Sequence, residues 1–458
     1  MSTPRRTALT GALVVTMDAE RRVVRSGHVV VEDGKIAAVG PGPAPDGPGE
    51  VIDVAGAVIL PGFVNTHHHL ADFLVRGTAP DYAYTVAWTR RDDHWRGAAA
   101  VGEAEAYGAT LLSAAELIRS GVTTTTDSLT AWRGRHKSEG ALRAAHDSGL
   151  RVAHTVAFID RTTMVPAEFQ YAPNEARAEY ERLRSLFEHD RVTVGSEPLS
   201  LPRSSDELIR ALHDPDGGLH AMHLTYSQEF ADWSVREYGR TAIEHLDSLG
   251  VIDDRLIGAH PVYLTDAEMS LMAARGASGA FCAVSNMLIG VGILPLHRMR
   301  AAGVTIGLGL DYPNHGHNMF ETMKMSVLSQ KSRELDATLG SAGLALELAT
   351  IEGAKALGLA DRLGSLEVGK DADLLVLDPR RSNLHPPAGV VNLIAYAGSP
   401  DDVRSVMVGG EWLMRDGRLN RFDEHVARQL ATAAQAKVLQ ANGLPADHLV
   451  LPDGWHLT

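Results

Sequence analysis

The hydrophobic pattern changes twice along the chain. Near the start, β-branched runs at residues 12–18, 27–40 and 51–62 are broken by Gly and Asp, which is typical of short strands joined by tight turns. The same pattern returns at residues 368–379 and 403–419. Between these regions, short apolar runs alternate with segments whose apolar residues recur at helical spacing. The pattern therefore predicts a β-rich region at each end of the chain and an α/β centre.

The central region contains eight candidate strands with helical segments between them. Regular alternation of strands and helices predicts parallel strands with helical crossovers. Eight such units in about 250 residues match the size of a (β/α)8 barrel. The candidate strands are residues 61–69, 121–128, 150–158, 191–198, 218–224, 255–260, 277–285 and 303–311. The candidate helices are residues 106–120, 139–149, 174–190, 235–250, 265–276, 294–303, 341–359 and 421–443.

The predicted fold class is α/β, a (β/α)8 TIM-like barrel with a small composite β-sandwich domain formed from both chain ends. The predicted boundaries are residues 1–58 for the N-terminal half of the sandwich, 59–365 for the barrel, 366–420 for the C-terminal half of the sandwich, and 421–458 for a terminal helix and tail. The barrel is thus inserted between the two halves of the smaller domain.

Composition and charge exclude several classes of partner and of fold. Lys and Arg number 43 against 57 Asp and Glu, and a net charge of −14 argues against nucleic acid or an anionic membrane as partner. No apolar run approaches the ~20 residues of a membrane span. The single cysteine, Cys282, cannot form an internal disulfide and is expected to be a buried thiol. We therefore expect a cytoplasmic protein with a small-molecule partner.

Three histidines end the first candidate strand. In an extended strand, residues two apart point the same way, so His67 and His69 project together into the barrel mouth while His68 points away. Two imidazoles at this spacing can share one metal ion, although two packed core histidines would give the same pattern. The position after a strand that begins with Pro-Gly favours the metal site.

Polar residues also end three later strands. His223 lies at the end of the fifth, His260 at the end of the sixth and Asp311 at the end of the eighth. Active sites of this fold lie where the strands end. Each residue alone is better explained by a structural hydrogen bond, but together they predict convergence on one metal site.

Long segments resemble the amidohydrolase superfamily, within it the cytosine deaminase and chlorotriazine hydrolase-like group. The matching segments span almost the whole chain, and the last is the most specific. They are LPGFVNTHHHL, AAELIRSGVTTTTDS, LHAMHL, GAH, GVTIGLGLDYPN, NMFETMKMS and ATIEGAKALGLADRLGSLEVGKDADLLVLDP. The resemblance implies a barrel with a composite β-sandwich, one divalent metal ion (zinc, with iron as the alternative), and a homo-oligomer.

The resemblance also implies roles. His67, His69, His223 and Asp311 would be the metal ligands, and His260 would face the substrate or lie just outside the ligands. A metal lowers the pKa of bound water to about 7, and Asp311 can accept the water's proton. His260 can stabilise the charge that develops on the group under attack.

One position departs from the family pattern. Most relatives carry a glutamate three residues after the fifth-strand histidine, where it transfers a proton, but this chain has Tyr226. Three interpretations remain open. Tyr226 itself donates a proton or hydrogen bond; Glu229, three residues further on, takes over; or the reaction differs and Tyr226 only fills space in the pocket wall.

Other residues are candidates for substrate contact. Ser285 and Asn286 end the seventh candidate strand, and Asn314 and His315 follow Asp311 on the eighth loop. Trp88 lies on the long loop after the first strand, where an aromatic ring can stack on a planar substrate. Glu197 and Asp127, which end the fourth and second strands, are expected to be structural hydrogen-bonding groups.

The predicted function is metal-dependent hydrolysis, with metal-bound hydroxide deaminating an amino-substituted nitrogen heterocycle. The main alternative is a changed reaction at a C–N, C–Cl or cyclic amide bond, because a leaving group that departs without a proton needs no glutamate. A non-catalytic metal-binding relative is the third hypothesis. Metal analysis separates the third from the first two, and product analysis separates those two.

Overall fold

The computed structural model describes residues 6–77, 97, 99–161, 166–312, 316–380 and 382–447. Seventeen strands are present in these ranges. They are β1 Arg6–Val15, β2 Val23–Glu32, β3 Lys35–Pro41, β4 Glu50–Asp53, β5 Val58–Pro61, β6 Phe63–Asn65, β7 Val122–Thr130, β8 Arg151–Phe158, β9 Val192–Pro198, β10 His220–His223, β11 Leu256–Ala259, β12 Ser278–Phe281, β13 Ile306–Leu308, β14 Leu374–Leu377, β15 Val403–Val408, β16 Glu411–Arg415 and β17 Arg418–Leu419.

The helices of the described ranges lie mostly between the strands. The α-helices are α1 Glu103–Arg119, α2 Lys137–Ser148, α3 Pro173–Phe187, α4 Asp206–Leu212, α5 Gln228–Tyr238, α6 Ala242–Ser248, α7 Asp266–Arg275, α8 Ala283–Leu288, α9 Leu296–Ala301, α10 Met319–Glu334, α11 Ala342–Ala349, α12 Ile351–Ala356, α13 Val390–Ala397 and α14 Glu424–Ala441. Short 3-10 helices are formed by Leu70–Val75, Ala167–Phe169, Leu201–Arg203, Ser382–Leu384, Pro387–Gly389 and Pro400–Asp402.

The barrel prediction is confirmed. Strands β6 to β13 close into a parallel barrel in chain order, and each corresponds to one of the eight candidate strands. Apolar side chains of the strands and of the surrounding helices form one large core, in which Phe63, Phe158 and Phe281 are fully buried. The carboxyl ends of all eight strands therefore meet at one face of the barrel.

Two predicted helices are each divided in the structure. The segment 235–250 spans the end of α5 and all of α6, because Gly239 ends α5 in the left-handed conformation with φ of 67°. Glycine adopts this conformation without steric cost. The segment 341–359 is divided into α11 and α12 at Thr350, whose φ and ψ of −131° and −97° are not helical.

The seventh candidate strand is shorter than predicted. Strand β12 ends at Phe281, and the residues after Cys282 form the short helix α8. Ser285 and Asn286 therefore lie on a helix at the barrel mouth and not at the end of a strand, so the expectation of a strand to residue 285 is wrong. The apolar run of this segment does not distinguish a buried strand from a buried helix.

Both chain ends contribute to a second, nine-stranded sheet, as the sequence predicts. The strands run in the order β17-β16-β15-β14-β5-β1-β2-β3, and β4 pairs with β1. The two ends meet where β5 pairs antiparallel with β14, with Val58 opposite Leu377 and Pro61 opposite Leu374. The boundaries of the smaller domain remain predictions.

A buried ion pair connects this sheet with the barrel. Arg151 begins β8, and its guanidinium donates to both carboxylate oxygens of Asp373 at 2.8 and 3.2 Å. It also lies 3.0 Å from the carboxylate of Asp371. All three side chains are buried, and Asp373 further accepts from the backbone N–H of Gly409. Removing one partner would leave the other charges buried without compensation.

The substitution Arg151→Met is expected to lower the free energy of unfolding by about 3–5 kcal/mol, the usual cost of breaking a buried ion pair. Urea unfolding followed by circular dichroism measures this loss. The matched control is Arg404→Met, which breaks a more exposed pair with Asp416 and should cost at most about 1 kcal/mol. Equal losses in the two variants would show that the Arg151 pair does not hold the sheet to the barrel.

Candidate metal centre

Four histidines and one aspartate converge at the mouth of the barrel. The Oδ1 atom of Asp311 lies 3.2 Å from Nε2 of His67, 3.4 Å from Nε2 of His69 and 3.4 Å from Nε2 of His260. The Nε2 atom of His223 lies 3.3 Å from Nε2 of His69. The structure thus brings together the five residues that the sequence singles out at the ends of strands one, five, six and eight.

Backbone contacts between the first and last strands place this cluster. Residues His68 and Asp311 form an isolated parallel bridge beyond the ends of β6 and β13, and the N–H of Asp311 donates to the carbonyl of His67 at 2.9 Å. This extended backbone directs His67 and His69 to the same side. His68 points away from them, donates from Nδ1 to the carbonyl of Asp311 at 2.6 Å, and packs against His317.

Two residues of the cluster have an unusual backbone conformation. His260 and Asp311 have φ values of 55° and 58°, in the left-handed region that residues other than glycine adopt at a cost. Such strain persists where the surroundings fix the geometry, and it is frequent at functional sites. Here the strand ends turn so that both side chains point toward the same centre.

Hydrogen bonds fix the orientation of two imidazole rings. His69 donates from Nδ1 to the backbone carbonyl of Ser128 at 2.7 Å, and His223 donates from Nδ1 to Oε1 of Glu197 at 3.1 Å. Each bond leaves the lone pair of Nε2 directed at the centre of the cluster. Metal-binding histidines typically donate their other ring N–H to a carbonyl or carboxylate in this way.

Glu197 is fully buried and has three donors. Its carboxylate accepts from the hydroxyl of Ser128 at 2.9 Å and from that of Thr155 at 2.7 Å, in addition to His223. Burial raises the pKa of Glu197, but the hydrogen bond and charge of His223 outweigh it and lower the pKa below its ordinary value. The ionised carboxylate therefore positions His223 from behind.

The chemistry of the cluster fits a divalent metal ion. The Nε2 atom of His67 is buried and faces Oδ1 of Asp311 at 3.2 Å, with no further partner among the described residues. Three pairs among the four ligand atoms are 3.2–3.4 Å apart, which matches the spacing of about 3.3 Å in a tetrahedral site with zinc–nitrogen bonds of about 2.0–2.1 Å. Nitrogen and carboxylate ligands are those that zinc accepts.

The electrostatics of the cluster favour a cation at its centre. Burial raises the pKa of Asp311, but the charge of His260 and hydrogen bonds from the histidines hold the pKa well below its ordinary value. Burial lowers the pKa of His67 to about 3. Burial also lowers the pKa of His69, but the hydrogen bond with Asp311 raises it more, to about 9. An ionised, buried carboxylate thus favours positive charge at this point.

Ser285 and Asn286, predicted to contact substrate, contact the cluster itself. The hydroxyl of Ser285 donates to Oδ2 of Asp311, and Nδ1 of His260 donates to Oδ1 of Asn286 at 2.8 Å. Both residues are buried on α8. They therefore hold the carboxylate and the imidazole in place, while their contact with a substrate remains a prediction.

The two residues considered as substitutes for the family glutamate lie differently. Tyr226 is half-buried, and its ring packs against Phe230 with the ring centres 5.2 Å apart. Glu229 is exposed on the first turn of α5. No hydrogen bond or ion pair joins Glu229 to the cluster in the described part of the chain. The other predicted substrate contacts, Trp88, Asn314 and His315, lie outside the described residues.

Residues 58–413 match the amidohydrolase family. The chain belongs to this family. It is 32% identical over 423 residues to the 5′-deoxyadenosine deaminase of Methanothermobacter thermautotrophicus, an alignment that covers 91% of this chain and 95% of that protein. The structure of a zinc-bound adenosine deaminase from Xanthomonas campestris is similar, with a TM-score of 0.86, 26% identity, and coverage of 94% and 98% of the two chains.

Atrazine chlorohydrolase from Arthrobacter aurescens, also complexed with zinc, shares the fold with a TM-score of 0.87 at 22% identity, over 94% of this chain and all of that one. The predictions of an amidohydrolase and of a metal-dependent deaminase are confirmed. The prediction of a divalent metal, zinc first, is confirmed by the zinc-bound neighbours and by the cluster of this amidohydrolase. Within the described ranges, none of its helices combines the length and apolar character that a membrane crossing requires.

Sequence reasoning missed the side chains that support the ligands. It treated Glu197 as a general structural group, and it did not anticipate the carbonyl of Ser128 or the bonds from Ser285 and Asn286. The only signal was position: Glu197 and Ser128 lie toward the carboxyl ends of β9 and β7, at the same face as the ligands. Position alone does not say which partner a side chain has.

The substitution Glu197→Gln is expected to weaken metal binding by about 10–100-fold, because the amide keeps the shape but removes the charge that orients His223. Competition with a chromophoric chelator measures the affinity. The matched control is Glu268→Gln. Glu268 is a buried glutamate that caps α7 away from the metal centre, and glutamine can form the same cap. Wild-type affinity in the Glu197→Gln variant would contradict this role.

Proposed function

We propose that this amidohydrolase removes the 6-amino group of an adenosine-type nucleoside, with 5′-deoxyadenosine as the first candidate substrate. The observation that carries the proposal is the convergence of His67, His69, His223 and Asp311 on one point, with His260 beside them. The substrate class is supported by the 5′-deoxyadenosine deaminase that is 32% identical over most of both chains.

The residues of the cluster divide the work of hydrolysis. A divalent ion held by His67, His69, His223 and Asp311 would lower the pKa of water to about 7 and supply hydroxide at neutral pH. Oδ1 of Asp311 faces the histidines, where it can accept a proton from the attacking water. The bond from Ser285 to Oδ2 keeps this orientation.

His260 is placed to stabilise charge on the substrate. Its Nδ1 donates to Asn286, so Nε2 is directed to the cluster, 3.4 Å from Asp311. Burial lowers the pKa of His260, but the neighbouring Cys282 and Asp311 outweigh it and raise the pKa well above its ordinary value. A protonated Nε2 can donate to the negative charge that develops when the purine ring is attacked.

Tyr226 is proposed as the proton donor in place of the family glutamate. It occupies the third position after His223 and is half-buried, whereas Glu229 is exposed on α5. The backbone N–H of Tyr226 donates to the carbonyl of Leu224 at 2.7 Å, so the chain turns directly after the strand that carries His223. A hydroxyl donor at this position would protonate the ring nitrogen or the departing amine.

The same substitution supports a second candidate function. A phenol is a weaker acid than a carboxylic acid, so Tyr226 also suits a leaving group that departs without a proton, such as chloride from a heteroaromatic ring. Ammonia and chloride are measured separately, so product analysis decides between the two reactions.

We propose the cellular location from the cysteine content and the assembly from the family. The single cysteine, Cys282, is buried and free, which suits a reducing compartment such as the cytoplasm. Homo-oligomerisation is proposed from the resemblance to the family. Light scattering of the purified protein measures the mass, and a monomer at micromolar concentration would contradict it.

The metal-loaded protein is expected to release ammonia from 5′-deoxyadenosine faster than from amino-pyrimidines, amino-triazines or pterins. A coupled ammonia assay over this panel measures the rates, with ion chromatography for chloride from chlorinated triazines. The substitution Asp311→Asn should lower kcat by at least about 100-fold, as expected for loss of a general base. Chloride without ammonia would favour the second reaction, and no product from a metal-loaded protein would contradict both.

The substitution Tyr226→Phe is expected to lower kcat by about 100-fold with little change in KM, because proton transfer contributes to the transition state rather than to binding. The matched control is Tyr238→Phe, which removes a hydroxyl at the far end of α5, where it contacts Arg161. Near-normal turnover in Tyr226→Phe would show that its hydroxyl handles no proton.

A further inference from the structure

A second group of metal-ligating side chains lies at the opposite end of β10. This strand has the sequence His-Ala-Met-His, and its last residue, His223, belongs to the catalytic cluster. Because side chains alternate along a strand, His220 and His223 point to opposite faces of the barrel wall. His220 lies in the layer between the strands and the helices, beside Ile209, Leu212 and Leu246.

Two further side chains meet His220 in this layer. Nε2 of His220 lies 2.8 Å from Oδ1 of Asp253, on the loop before β11. The ring of His213, at the end of α4, packs edge-on against that of His220 with the centres 5.3 Å apart. One ligand atom from each of the three residues lies within 4.8 Å of the other two. A small rotation of the side chains would place all three on one ion.

His213 provides an independent sign of a missing partner. Its Nδ1 atom is buried, and within the described part of the chain no group forms a hydrogen bond with it. A buried polar atom without a partner is costly, and an ion bound beside His213 would supply one. His220 and Asp253 already pair with each other, whereas Nδ1 of His213 has no partner among the described residues.

A neighbouring arginine, Arg255, orients the carboxylate of Asp253. Arg255 pairs with Oδ2 of Asp253, and its backbone N–H donates to Oδ1 at 3.0 Å. The guanidinium also donates to the carbonyls of Asp214 and Gly217 at 2.7 and 2.9 Å, which fixes the loop that follows His213. Arg255 thus orders the loop and the carboxylate, while Oδ1 remains directed at His220.

We propose that His213, His220 and Asp253 bind one divalent transition-metal ion, with zinc as the first candidate and water completing the coordination. Two imidazoles and one carboxylate suit zinc, cobalt, nickel or copper rather than magnesium or calcium, which prefer oxygen ligands. His220 and His223 are about 10 Å apart along the strand and leave it on opposite faces, so this site is separate from the catalytic centre. It joins the end of α4, the start of β10 and the loop before β11.

The test is the metal stoichiometry of the full chain at a buffered free zinc concentration near 1 μM, after removal of excess metal. Inductively coupled plasma mass spectrometry is expected to give two zinc ions per chain for the wild type and one for His213→Gln. The matched control is His245→Gln, because His245 pairs with Asp206 at 2.9 Å in the same way but belongs to no group of three ligands among the described residues. This control should keep two ions.

Cobalt loading gives a second readout that does not depend on catalysis. The wild type should show visible d–d absorption that rises in two steps, and the second step should be missing in both His213→Gln and Asp253→Asn. Deaminase turnover of His213→Gln should match the wild type, which would show that the variant folds and keeps the catalytic ion. One ion in the wild type, or two in His213→Gln, would overturn the proposal.

Discussion

Closure of the barrel between its last and first strands is the constraint on which the catalytic cluster depends. Strands β13 and β6 have three residues each, and their ladder contains the single pair Leu308 and Asn65. Further bonds come from residues after the end of β13. The N–H of Leu310 donates to the side-chain oxygen of Asn65 at 2.9 Å, and the N–H of Asp311 donates to the carbonyl of His67. The bonds that close the barrel therefore also set the positions of two ligands, His67 and Asp311.

Hydrogen bonds support the cluster from two sides. On one side, Glu197 with its two hydroxyl donors orients His223 from within the barrel wall. On the other side, α8 supplies Ser285 and Asn286, which hold Asp311 and His260. Each of these groups thus holds one member of the cluster in its orientation.

Periodicity is sufficient to predict the eight barrel strands, because each is a short apolar run and all but the fourth are followed by a segment of helical spacing. It was also sufficient for the alternation that separates His68 from its neighbours, since that alternation follows from extended backbone alone. It failed at residues 277–285, where an apolar run of similar length continues as helix α8. The choice there depends on packing against the barrel mouth, which no local pattern encodes.

The ligands are predictable because histidine and aspartate, which commonly bind metals, stand at the ends of candidate barrel strands. Their supports were not, because a carboxylate such as Glu197 can serve a structural bond or a ligand equally well, and only the three-dimensional neighbour distinguishes the two. The group of His213, His220 and Asp253 was missed for the same reason. Its members lie on separate elements, and only the register of β10 brings them together.

The pairing of β5 with β14 has a consequence for synthesis of the chain. The first strands of the sheet leave the ribosome early, but the partner of Val58 is Leu377, which follows the entire barrel. Contacts so distant in sequence form slowly, and an unpaired strand edge promotes aggregation until its partner arrives. During translation, the apolar edge of β5 thus remains open until the barrel has been made, and a nascent chain that stops short of β14 would be a natural client of chaperones.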